Sequence, residues 1–224
     1  MDWVTQLTNV VAAHPLLNLL NVKYILTPPA VEVQDGLGFH LAHKSDLGVL
    51  ENLEVWPRAF FCDKIVSLSS TEEFVEYLRA HSQQPFVGLT PVEISRQAGL
   101  AEMSGVSSIF TPATNYTLLP NSTAFDIHAK SGGIACLTEG KGRDFTARVN
   151  GEPKPILTVN RAFKGIYLAQ PGDYHIEFTY RPRYWRCTWA TFWVAVGIST
   201  GLLLFDFFRS KKVEVRPNPA IQIP

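Results

Sequence analysis

Arg58 and Arg181 each flank a proline at the edge of a predicted strand. A guanidinium so placed can grip a phosphate or a carboxylate through two parallel hydrogen bonds. A bond to a loop carbonyl is the competing role. Trp3, Trp56, Tyr116 and Tyr167 are the aromatic candidates. On a β-sandwich their rings could stack on the C–H faces of sugars, with core packing as the competing role. His40 and His43 are three apart in a strand-like or loop segment. A strand repeats every two residues, so this spacing does not place both on one face, and no metal site is expected. Gly36-Leu37-Gly38 lacks the third glycine and the helix of a dinucleotide site. No nucleophile elbow, P-loop or zinc-protease motif is present. No catalytic residue and no cofactor is therefore expected. Asn115-Tyr116-Thr117 and Asn121-Ser122-Thr123 match the glycosylation acceptor pattern and are read as polar turn residues.

The chain has 224 residues, with 20 basic and 20 acidic side chains that give a net charge of zero. No basic run interleaves with aromatics, so nucleic acid is not an expected partner. There are three cysteines. Cys62 and Cys136 fall in separate predicted strands and are read as buried thiols, which would pair only in an oxidising space. Cys187 stands at the start of an apolar run.

The elements that must position these groups change character along the chain. Pro15 opens a short helical turn, followed by strands at 22–26, 39–41 and 48–53 and a buried strand at 59–66. Ser70 and Glu73 form a capping box before a helix whose apolar face is Phe74, Val75 and Leu78. Strands are predicted at 86–89 and 92–96, and an irregular stretch at 97–114. From residue 115 the pattern is all β, with strands at 116–119, 124–129, 133–138, 145–149, 156–159, 163–168 and 174–180. Asn150-Gly151 is the strongest hairpin signal, since both residues tolerate the positive φ of a type I′ turn. Tyr174, Ile176, Phe178 and Tyr180 alternate with polar residues, so one face is buried and the other wet. Seven short strands separated by turns predict an antiparallel sandwich.

Residues 187–205 then carry no charge for nineteen positions. As a helix they would span roughly 28 Å, close to a bilayer's hydrocarbon thickness. Trp185, Trp189 and Trp193 recur every four residues, as interfacial anchors do. Gly197 and Gly201 place small residues one turn apart, which suits close approach of another membrane helix. Basic residues flank the run, Arg181, Arg183 and Arg186 before it and Arg209, Lys211, Lys212 and Arg216 after it, which favours a cytoplasmic C-terminus. Asp2 stands where a signal peptide carries basic residues. A chain of this layout with nothing upstream would be tail-anchored with a cytosolic domain. A segment of a larger membrane protein would have upstream helices to carry the domain across.

Several segments in order resemble the C-terminal region of YfhO-like bacterial polytopic membrane proteins, which are related to GT-C glycosyltransferases. They are the run from His14 to Leu26, Leu50-Glu51-Asn52 with Pro57-Arg58-Ala59-Phe60, the hairpin from Phe145 to Glu152, the strands around Val159–Ile166 (159–166), and Pro171-Gly172-Asp173-Tyr174 with Tyr180-Arg181-Pro182. The order and spacing match over residues 14–183. One departure is Gly142-Arg143-Asp144, where the family carries Gly-Trp. The resemblance implies an extracytoplasmic sandwich beside an enzyme that moves sugars from polyprenyl-phosphate carriers to envelope acceptors. The family's catalytic acid lies in an early loop that has no counterpart in these residues, so no catalytic residue carries over. Asn52 and Arg58 lie inside the matching segments and join Trp56, Tyr167 and Arg181 as candidate ligand residues.

The expectation is a mainly β protein: a jelly-roll or carbohydrate-binding-module-like antiparallel sandwich, a small α/β N-terminal part and one C-terminal transmembrane helix. The divisions are residues 1–110 (α/β part), 111–183 (sandwich strands), 184–208 (membrane helix) and 209–224 (a cytoplasmic tail). The expected role is an acceptor-docking module for envelope glycosylation. Its partners would be the membrane, other transmembrane helices packed at Gly197 and Gly201, and an envelope glycan. The alternatives are a stand-alone membrane-anchored carbohydrate-binding protein and a structural subunit of a membrane complex.

Overall fold

The computed structural model describes residues 12–29, 38–97, 99–100 and 109–213. Trp3 and the Asp35-Gly36 turn lie outside them. The described residues up to Tyr180 form one compact unit, and those from Arg181 onward form a second.

The first unit is mainly β. It opens with α1 (His14–Leu19), with Pro15 in its first turn, and a three-stranded antiparallel sheet of β1 (Tyr24–Thr27), β2 (Phe39–Lys44) and β3 (Gly48–Asn52), with β3 central. The segment predicted as one strand over 59–66 is two, β4 (Ala59–Cys62) and β5 (Ile65–Ser67), in different sheets. The break falls at Asp63, whose buried carboxylate accepts from the Ile109 amide at 2.7 Å and the Ser131 hydroxyl at 2.9 Å. Those bonds compensate a charge that would otherwise be costly inside.

β5 runs parallel to β6 (Val87–Leu89), and α2 (Thr71–His81) connects them, as a parallel pair requires a crossover. Ser70 caps α2: its hydroxyl accepts from the Glu73 amide at 3.1 Å. The Glu73 carboxylate reaches back to the Ser69 amide at 2.7 Å, one residue before the cap. Phe74 and Leu78 are buried, and Val75 is packed against the same core. Residues predicted as a strand over 92–96 form a short helix, α3 (Pro91–Ser95). Thr90 caps it, accepting from the Glu93 amide at 3.3 Å, and Pro91 sits where a helix tolerates proline. Thr-Pro-Val-Glu thus overrides the β-branched residues that suggest a strand.

The remaining strands are β7 (Phe110–Pro112), β8 (Thr114–Leu119), β9 (Ser122–Ala129), β10 (Gly133–Gly140), β11 (Phe145–Val149), β12 (Glu152–Lys154), β13 (Leu157–Val159), β14 (Phe163–Leu168) and β15 (Gly172–Tyr180). Together with β4 they build two antiparallel five-stranded sheets. The inner sheet has the order β13-β14-β10-β4-β7, and the outer sheet β12-β11-β15-β9-β8. Between them lie Phe61, Phe125, Ile127, Leu137, Ile166, Ile176 and Phe178. The other face of the inner sheet, with Phe60, Cys62, Ile134, Cys136 and Val159, packs on Trp56, Phe74, Leu78 and Phe86. Both faces of the inner sheet are covered. This explains why Ala59-Phe60-Phe61-Cys62 are all buried in succession while β9 alternates.

β4 sits between β10 and β7. The sandwich therefore takes a strand from residues 1–110, and the parts expected at 1–110 and 111–183 share one core. Cys62 and Cys136 are free, buried thiols. Burial pushes Cys62 up to about 12 and Cys136 up as well. At the β11–β12 hairpin, Asn150 and Gly151 have φ of 51° and 83°, the positive values a type I′ turn needs.

The second unit holds α4 (Trp185–Val213). Its segment Trp185–Arg209, 25 residues, is long and apolar enough to cross a membrane. Trp189 stacks on Trp193 at 6.2 Å between ring centroids. The Thr188, Thr191 and Ser199 hydroxyls donate to carbonyls one turn back, at 3.0, 3.0 and 2.9 Å. The Ser199 hydroxyl, between Gly197 and Gly201, is thus bonded to its own helix at Ala195. A Cβ added at Gly197 or Gly201 meets nothing within 4 Å.

Candidate functional site

The structure separates the candidate ligand residues. Asn52 is 1% exposed and is a hub: its amide nitrogen donates to Asn18 Oδ1 at 2.7 Å and to the Val22 carbonyl at 3.1 Å. Its oxygen accepts from the Glu54 amide at 3.1 Å and pairs with His14 Nε2 at 3.0 Å. Those bonds tie β3 to α1 and leave no capacity for a ligand. Trp56 is 1% exposed, donates from Nε1 to the Ser82 carbonyl at 2.8 Å, and packs edge-on against Phe60 and Phe86. It is a core residue and offers no stacking face. Arg181 is exposed at the start of the second unit.

His40 and His43 differ from expectation. A register shift between Leu41 and His43 sets them opposite Glu51 and Val49, positions two apart on β3. A bulge therefore puts the pair on one face. Among the described residues no group of three or more His, Cys, Asp or Glu is arranged to hold a metal.

Arg58 belongs to a charged knot at one end of the sandwich. Its Nη2 donates to Glu139 Oε1 at 3.1 Å, and its guanidinium lies 5.9 Å from the Tyr116 ring centre. Tyr116 donates to the same carboxylate at 3.2 Å and Thr123 at 3.3 Å. Lys164, which is 0% exposed, donates from Nζ to Glu139 Oε2 at 2.9 Å. The ammonium also faces the rings of Phe145 and Phe178, at 3.6 and 5.3 Å from their centres. Burial pulls the Lys164 pKa down, and the bond to Glu139 offsets this only in part. Burial opposes ionisation of Glu139 too, but the bonds from Lys164 and Arg58 outweigh it and hold the carboxyl below its ordinary range. Burial and the nearby Glu139 raise Tyr116. β10 and β14 of the inner sheet supply Glu139 and Lys164, while β8 and β9 of the outer sheet supply Tyr116 and Thr123. The knot joins the sheets, and Arg58, Tyr116, Thr123 and Lys164 all direct a donor at the one Glu139 carboxylate.

A concave site lies at the other end. β15 is nine residues long, roughly 30 Å, and runs from near Tyr174 at this site to Tyr180, whose ring meets Phe145 at 5.2 Å beside the knot. Where the chain crosses from β12 to β13, a cleft of about 280 Å³ opens between Tyr167 and Tyr174, floored by Val149 and Leu168 and edged by Gln97 and Gln170. The Tyr174 hydroxyl donates to the Gln170 carbonyl at 2.9 Å, tying rim to wall. Gly99, with φ of +100°, passes so close to Tyr167 that an added Cβ would lie 2.7 Å from its hydroxyl. Lys154 also borders the cleft, 3.5 Å from Glu152. Of the candidate ligand residues only Tyr167 lies here. Tyr174 reads in the sequence as one more residue of an alternating core face, and Gln97, Lys154 and Gln170 carry no motif. The proline and glycine after Gln170 mark the turn that brings it to the rim.

A larger groove, about 420 Å³, runs between residues 53–57 and 83–85 beside Phe110. Apolar Leu53, Val55, Pro57 and Pro85 alternate there with polar Glu54, Gln83 and Gln84, and its one large aromatic beside Phe110, Trp56, is 1% exposed and presents no ring face to a ligand. On the exposed face of the outer sheet, His175 pairs with Asp126 and His128 with Asp173, each at 2.6 Å.

No family model, no curated protein and no solved structure matches the chain.

Proposed function

We propose that this chain is a membrane-anchored accessory module of cell-envelope glycosylation. Its β-sandwich lies outside the cytoplasm and docks an acceptor for a transferase that uses polyprenyl-phosphate sugar donors. The observation that carries the reading is a succession: an antiparallel two-sheet sandwich ends at Tyr180, and the membrane-length apolar segment begins at Trp185. The resemblance of residues 14–183 to YfhO-like proteins supports the link to glycosylation. The reading assigns no catalytic residue to this chain, so transfer belongs to a polytopic membrane segment or partner.

A structural role in a membrane complex is the second reading, favoured by the open flanks of Gly197 and Gly201. The two are separated by expressing the full chain in a bacterial host. The proposal expects the chain to resist alkaline carbonate extraction, a reporter fused after Pro224 to be cytoplasmic, and residues of the sandwich to be labelled from outside the cell. A reporter on the outer side, or release by carbonate, overturns it. Retention of a membrane partner that depends on Gly197 and Gly201 but not on the sandwich favours the structural reading.

A further inference from the structure

We infer that the cleft between Tyr167 and Tyr174 is a subsite for a neutral, hydroxyl-rich sugar ring, an inference that rests on the docking reading above. A pyranose presents C–H faces and a rim of hydroxyls that both donate and accept. Its partner must offer flat apolar area together with uncharged groups of mixed hydrogen-bonding capacity. The two tyrosine rings with Val149 and Leu168 provide the first. The side-chain amides of Gln97 and Gln170 provide the second, since each amide carries donors and an acceptor.

The volume fits this class. About 280 Å³ is just below the range of whole small-molecule sites, about 300 to 1,000 Å³. That suits a ring or two of a longer polymer lying across the rim. The site is also built before the ligand arrives. Tyr167 stands on β14, flanked by β13 and β10, and Tyr174 on β15, flanked by β11 and β9. Gly99 crowds the Tyr167 hydroxyl, and the bond from Tyr174 to the Gln170 carbonyl fixes the rim. Walls on paired strands cost little ordering on binding. Charge selects among sugars: Lys154, the cation at the edge, is answered by Glu152 at 3.5 Å. An anionic sugar would have to compete with that pair, whereas a neutral one need not.

The test uses the full chain in lipid nanodiscs, titrated with maltohexaose, chitohexaose and an alginate hexamer by calorimetry and ligand-observed NMR. At least one neutral hexamer is expected to bind, and the alginate hexamer more weakly. Ala169→Trp, which fills the cleft from an exposed rim position, should abolish binding, and Gln170→Ala should weaken it at least fivefold. Both sites are exposed, so melting temperatures should hold near the wild type, as should binding by His128→Ala on the outer sheet. Wild-type binding that survives both cleft variants overturns the subsite and leaves the docking reading standing. Binding of none of the hexamers overturns both. Preference for the alginate hexamer overturns the neutral class.

Discussion

Lys164 and Glu139 form an ion pair of 2.9 Å in which the lysine is wholly buried and the carboxylate is shared with Arg58, Tyr116 and Thr123. The ammonium donates to that carboxylate and otherwise faces aromatic rings. Removing one partner of a buried pair is far costlier than replacing both, because a charge is stranded. Glu139→Ala should therefore destabilise the fold by about 3 kcal/mol or more, read by thermal or urea denaturation. Lys164→Met combined with Glu139→Gln should recover much of the loss. A loss in the double variant equal to the sum of the losses from Glu139→Gln and Lys164→Met alone would show that the pair is not coupled.

Acid should loosen the same end of the sandwich. Glu139 is held below its ordinary range in the folded state. Between that lowered value and the unfolded one, near 4.3, the unfolded chain binds the extra proton, so stability rises with pH. The contribution is complete above the unfolded value and is lost as pH falls through the folded one. Glu93 has the same sign: burial opposes its charge, but its bond from Thr158 and the nearby Lys141 and Arg96 prevail. Melting temperature should drop steeply below about pH 4, and Glu139→Gln should flatten that slope.

The β11–β12 turn should be sensitive to a Cβ. Gly151 sits at φ 83°, a region that costs a residue with a Cβ about 1–2 kcal/mol. Gly151→Ala should lower stability by that amount although an added Cβ meets no neighbour within 4 Å. Asn150→Ala should cost at least as much, because the Asn150 side chain also accepts from the His175 amide at 2.7 Å.

Asn52 gives a test of structural against ligand roles. Asn52→Leu strands Asn18, Val22 and the Glu54 amide together, and each buried group left without its partner costs about 1–3 kcal/mol. A stability loss of several kcal/mol is expected. A folded variant with wild-type stability and altered glycan binding would return Asn52 to the ligand residues.

Much of the outer sheet could be read from sequence, because its strands bury one face. The alternation of Ile176 and Phe178 with His175 and Glu177 and the Asn-Gly turn are local signals, and the structure carries both. The inner sheet could not be read this way. Its two-sided burial erases alternation, so Ala59-Phe60-Phe61-Cys62 looked continuous with Ile65-Val66. Lys164 is the sharpest case. Its neighbours suggest a lysine facing water, yet it lies on the face shared by Ile166 and Leu168, and its partner Glu139 is 25 residues away. The cleft was half legible for a similar reason: Tyr167 stood out as an aromatic, but Tyr174 reaches it only because two separate sheets meet there.

The place of β4 has a consequence for synthesis. Its inward neighbour in the sheet is β10, with Cys62 opposite Ile134 and Ala59 opposite Leu137. Ribosomes add about 5–20 residues each second. A nascent chain therefore carries Ala59-Phe60-Phe61-Cys62 without that neighbour for about 4 to 15 seconds. During that interval the tetrapeptide is a sticky, unsatisfied strand, and a holding chaperone that recognises such segments would find this one early in the life of every molecule.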